Sequence, residues 1–183
     1  MIINHLEQMF QLVSDTRIAF IYFNHKESPS AGDLLGNILK QILQQQTDIP
    51  SAIRDIYSKH RKRISRPSFP EITDLLVLEA SKLSKLFVVI DALDECPTGP
   101  DTKDKVLSQL RKLSALRLLV TSRPYVSVSP YFDFLRLDIR AHQSDIERFI
   151  QARLEKSEHL KQYIDEDFKN TIVHGIIEKC AGM

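Results

Sequence analysis

With 183 residues, 43% of them hydrophobic and 27% charged, the chain is long enough for one compact domain with a core and a solvated surface. A net charge of +1 gives no global reason to bind nucleic acid or an anionic membrane, and no apolar run reaches membrane-spanning length. Cys96 and Cys180 are too few for a disulfide framework and lack metal-ligand spacing; without a secretory signal, a cytoplasmic protein with reduced thiols is expected.

The chain opens with apolar residues at 2, 3, 6, 9, 10 and 13, the spacing of one helix face. Ile18 to Phe23 reads as a strand, with Phe20, Tyr22 and Phe23 expected in the core. After a polar loop, Ser30 can cap a helix whose inner face is Leu34, Leu35, Ile38, Leu39, Ile42 and Leu43, with Asp33 favourable in its first turn. The Gln44-Gln45-Gln46 run and Pro50 end it. A shorter helix spans Ala52 to Lys62, and its basic end, Lys59 to Arg63 with Arg66, is expected to be solvated near the negative end of the helix dipole. Ser68 with Glu71 offers a capping box for a helix reaching Leu83. The six histidines show no ligand spacing with cysteines or acids.

Leu86-Phe87-Val88-Val89-Ile90 then forms a continuous apolar run, as suits a strand covered on both faces of a parallel sheet. It ends in Asp91, with Asp94 and Glu95 in the following turn. Ligands of such sheets collect at the strands' carboxyl ends, where one carboxylate could hold magnesium and another polarise water. Pro97 to Pro100 reads as a loop, and Thr102 can cap a helix carrying Val106, Leu107, Leu110 and Leu113. A second apolar run, Leu116 to Val120, delivers Thr121, Ser122 and Arg123 before Pro124; a guanidinium there could engage a terminal phosphate through paired hydrogen bonds. A short strand is expected over 134–137. Ser144 and Glu147 suggest a capping box for a helix with Ile146, Phe149, Ile150 and Leu154 inward, and Phe168 to Cys180 reads as a final helix.

Val89-Ile90-Asp91-Ala92-Leu93-Asp94-Glu95 followed about thirty residues later by Thr121-Ser122-Arg123-Pro124 resembles the NACHT ATPase domain, especially its nephrocystin-like version in fungal receptor-like (STAND) proteins. The resemblance implies a three-layer α/β P-loop fold with helices on both faces of a parallel sheet. It implies a nucleotide-binding part over 1–140 and the start of a helical subdomain over 141–183. It also implies magnesium at Asp91, water activation by Asp94 or Glu95, and γ-phosphate sensing by Arg123 with Thr121 and Ser122, the cofactors being ATP and Mg²⁺.

The phosphate cradle G-x-x-x-x-G-K-[ST] does not occur in this sequence, since no glycine precedes a Lys-Ser or Lys-Thr pair. The expectation is that this loop and its strand lie upstream of Met1, leaving a partial domain impaired in ATP binding, with an unpaired apolar edge on the sensor strand. Self-association or protein partners are expected, with no membrane insertion and no specific nucleic acid. Two other readings stand beside the switch. One is a non-catalytic interaction scaffold on the same fold; the other is a nucleic-acid-handling ATPase fragment, supported only by the basic cluster around Arg61.

Overall fold

The computed structural model describes residues 2–11, 13–24, 26, 28–96, 100–126, 128, 131–139, 142–157 and 165–180. They form two compact units, Met1–Phe134 and Leu135–Met183.

The first unit is built on three parallel strands, β1 (Thr16–Tyr22), β2 (Lys85–Asp91) and β3 (Leu116–Val120), in the order β1-β2-β3. In register, Ala19 lies beside Val88 and Leu118, and Ile21 beside Ile90 and Val120. Because side chains alternate across a strand, this row faces one side and Ile18, Phe87 and Arg117 face the other. The first side is buried under α2 (Ala31–Gln44), α4 (Phe69–Ala80) and α5 (Pro100–Leu110), whose Leu35, Ile38, Leu76 and Leu107 join Leu86, Val88 and Ile90 in a single core. Helix α1 (Ile2–Phe10) packs against β1 on the other side, where the Phe10 ring lies 4.9 Å from that of Phe87. The three-layer α/β class expected from the sequence is therefore the one observed.

Local signals account for the helices that hold this core. Ser30 and Asp33 form a reciprocal capping box at the start of α2, as Ser68 and Glu71 do for α4. Between them, α3 (Ser51–Arg63) has no fully buried residue and ends at Ile64, a β-branched residue in the left-handed region with φ 50°. At the far end of α4, the buried Glu79 carboxylate is satisfied by Lys82 Nζ at 2.6 Å and Gln46 Nε2 at 3.3 Å, so the ends of α2 and α4 are tied together.

Several expectations need correction. The helix after Ser68 stops at Ala80, and Thr102 lies inside α5 rather than capping it. Residues 132–139 form no strand: Leu135, Leu137 and Ile139 are exposed, so their apolar alternation has no sheet partner to bury it. Helix α6 (Gln143–Lys156) begins at His142, and the Ser144 box is not made, because Gln143 Nε2 donates to Glu147 Oε1 at 2.9 Å. Ile150 is the buried residue of α6, whereas Phe149 is exposed with the Arg153 guanidinium over its ring. Helix α7 (Glu166–Cys180) packs on α6, and its first turn donates the Phe168 N–H to Asp165 Oδ1 at 2.7 Å. Of the loop expected over 97–100, Pro100 is instead the first residue of α5, while 97–99, the end of the chain at 181–183 and the Cys180 side chain lie outside the described residues.

Candidate functional site

Asp91 is the last residue of β2, beside Tyr22 of β1. The Thr121 hydroxyl, just past β3, donates to Asp91 Oδ1 and accepts the Ala92 N–H at 3.0 Å. Backbone bonds continue the join, from Thr121 N to Ile90 O at 2.9 Å and from Leu93 N to Thr121 O at 3.0 Å. The chain can leave β2 this way only by a sharp turn, and Ala92 makes it in the left-handed region with φ 55° and ψ 51°. That conformation costs a non-glycine residue of the order of 1 kcal/mol, and such strain persists only where neighbouring contacts hold it. Here they do: the turn seats Leu93 in the core and begins a short 3₁₀ segment, Leu93–Glu95.

Within that segment the Asp94 side chain is 7% exposed and faces β3. Its Oδ1 accepts the Arg123 backbone N–H at 3.2 Å, and its Oδ2 pairs with Arg123 Nε at 3.2 Å. Arg123 itself is 68% exposed at the side chain. Glu95 is half-buried in the same turn, while the exposed Ser122 donates its hydroxyl to the neighbouring Arg123 carbonyl at 3.3 Å. Of the six residues the sequence singles out, the structure thus joins Asp91 to Thr121 and Asp94 to Arg123. It leaves Ser122 in a local turn.

Chemically, a carboxylate whose one oxygen is engaged by a hydroxyl can still offer the other to a hydrated divalent cation. Among the described residues no group of three or more His, Cys, Asp or Glu is arranged to enclose a metal. In this geometry both Asp94 oxygens are engaged by Arg123.

Tyr22, expected in the core, is 51% exposed on the same face as Asp91, its ring 5.3 Å from that of Phe20. The run of apolar residues hid the fact that α1 is too short to cover the carboxyl end of β1. Two further residues were missed. On the outer edge of β1, Gln41 Oε1 accepts the Phe20 N–H at 2.9 Å and its Nε2 donates to Phe20 O at 2.8 Å; Gln45 does the same to Ile18, at 3.2 and 2.8 Å. Their spacing of four along α2 was the available signal.

A parallel sheet bearing acids at one strand end and a hydroxyl and guanidinium at the next defines an α/β protein with a polar site at the carboxyl edge. Over residues 1–123 the chain matches the family model described as Nephrocystin 3, N-terminal, and it belongs to that family. No curated protein and no solved structure matches it. No helix among the described residues is long and apolar enough to cross a membrane.

Proposed function

We propose that this chain carries the acid and arginine half of an ATP-dependent signalling switch of the NACHT type. In this reading Asp91, oriented by Thr121, holds the magnesium of a bound nucleotide, and Glu95 or Asp94 polarises the attacking water. Arg123, with Thr121 and Ser122 beside it, reads the terminal phosphate, and α6 and α7 begin the helical subdomain of such switches. Bound magnesium would neutralise charge on the phosphate oxygens. The observation that carries the reading is the meeting of Asp91 with Thr121, and of Asp94 with Arg123, at the carboxyl ends of adjacent parallel strands. A terminal phosphate would compete with Asp94 for the guanidinium, which would release Asp94 and loosen the exit from β3.

Nucleotide binding by this chain alone should be weak. Its sequence has no phosphate cradle, so several charge-assisted hydrogen bonds of about 1.5–3 kcal/mol each are missing. Titration with fluorescent ATP and magnesium tests this: saturation is expected only near or above ~1 mM, and Asp91→Ala should remove the magnesium-dependent part. Micromolar affinity would overturn the impairment, and binding indifferent to magnesium and to Asp91→Ala would overturn the assignment.

A second reading, a non-catalytic scaffold for protein partners or for a second copy, is favoured by the outer edge of β3. A groove of about 250 Å³ runs there with a mixed lining, apolar at Leu116, Leu118 and Phe132 and charged at Arg111, Arg117 and Asp133. Concentration-dependent self-association without nucleotide would support that reading. A monomer at all concentrations would count against it.

A further inference from the structure

A second polar cluster lies away from the strand ends, where α3 turns into α4. His60 Nε2 lies 3.0 Å from Glu71 Oε2, and His60 Nδ1 lies 2.8 Å from Ser65 Oγ. A carboxylate can only accept, so in the neutral ring the proton sits on Nε2 and Nδ1 must accept the Ser65 hydroxyl. Glu71 is also bonded by Lys59 Nζ at 2.6 Å and by Ser68. These contacts, led by Lys59, hold its carboxyl well below the usual carboxylate range, so it is ionised.

Ser65 is solvent-exposed and follows Ile64, which is 97% exposed and left-handed. The four residues His60, Arg61, Lys62 and Arg63 form a basic last turn on α3, a helix with no fully buried residue. A strained, protruding turn at the end of such a helix opens locally at low cost. It therefore presents a hydroxyl directly behind a cationic run, the charge pattern that an acidic kinase cleft selects.

We propose that Ser65 is a phosphorylation site for a basophilic protein kinase, and that phosphate there clamps the His60 ring between phosphoserine and Glu71. In the transfer, Ser65 Oγ bonds to the γ-phosphorus of ATP as the bond to the β–γ bridging oxygen breaks; ADP leaves, and the hydroxyl proton passes to the kinase's base. The product has no hydroxyl proton for His60 Nδ1 to accept. A dianion now faces that nitrogen, a carboxylate faces the other, and Lys59 stays on Glu71; a second ring proton satisfies both anions.

The test treats the purified chain with a basophilic Ser/Thr kinase and Mg-ATP, then locates the phosphoryl group by peptide fragmentation. Ser65 should carry it; Ser65→Ala should lose it and Ser65→Thr keep it. Lys62→Glu with Arg63→Glu should slow the transfer about tenfold. In the phosphorylated chain, the NMR titration midpoint of the His60 ring should rise by about one pH unit. Lack of transfer to the folded chain, transfer to another residue, an unchanged rate in the charge-reversed variant, or an unmoved His60 midpoint would each overturn the proposal.

Discussion

The two edges of the sheet are finished differently. At β1, Gln41 and Gln45 each use both halves of their amide to satisfy the outward N–H and C=O of Phe20 and Ile18, acting as two rungs of a fourth strand. At β3 the alternation that points Arg117 and Leu119 at β2 turns Leu118 and Val120 outward, and no partner meets their N–H groups among the described residues. An unpaired strand edge is a template for another strand, whereas side-chain amides close it without a strand. Burial of apolar side chains alone would make the two edges equivalent. Helix α2 makes them different.

The largest effect is expected at the strand between the edges. Ile90 is fully buried, and Ile90→Ala should destabilise by about 2–5 kcal/mol in a denaturant titration. A much smaller loss would mean that β2 does not anchor both neighbours. Next, Gln41→Ala with Gln45→Ala removes the rungs and should cost about 1–3 kcal/mol. By hydrogen exchange, the amides of Ile18 and Phe20 should exchange roughly tenfold more slowly than those of Leu118 and Val120 in the parent chain, and the difference should vanish in the double variant. Equal rates in the parent would break the comparison.

Acid should then act through the helix caps that hold α2 and α4. Asp33 is held below its ordinary pKa, chiefly by the Ser30 hydroxyl and then by the Ser30 N–H, and Glu71 chiefly by Lys59. Both folded values are depressed, so their stabilisation is present above the unfolded values near about 4 and is lost as pH falls through the folded ones. Denaturant midpoints should therefore fall below about pH 4, and fall less steeply in Asp33→Asn. The smallest effect is expected at the open edge. Leu119 is 39% exposed, and Leu119→Lys should change stability by no more than about 0.5 kcal/mol while reducing any self-association seen by sedimentation.

Much of this was legible because it is local. The Ser30 cap with Asp33 in its first turn and the Ser68–Glu71 box lie within four residues, and both form. The runs ending in Asp91 and Thr121 announced themselves as strands with a polar end, and they pair side by side, β2 buried and β3 only partly covered. What failed was context. Thr102 has the chemistry of a cap, but α5 begins before it; Ser144 lost Glu147 to Gln143; the alternating 134–137 segment found no sheet partner; and Tyr22, though in an apolar run, lies beyond the reach of α1.

By itself the sequence determined the three strands of the sheet, the caps at Ser30 and Ser68 and which end of the sheet is acidic, since hydrophobic period and capping chemistry act over a few residues. Only the tertiary structure decided that Asp94 rather than Asp91 takes Arg123, that two glutamines close the outer edge of β1, and that His60 bridges Ser65 and Glu71. The first two depend on groups 21–29 residues apart being brought within hydrogen-bond reach by the ladder register and by α2 lying along β1. The third depends on how α3 turns back into α4. No local pattern encodes any of these distances.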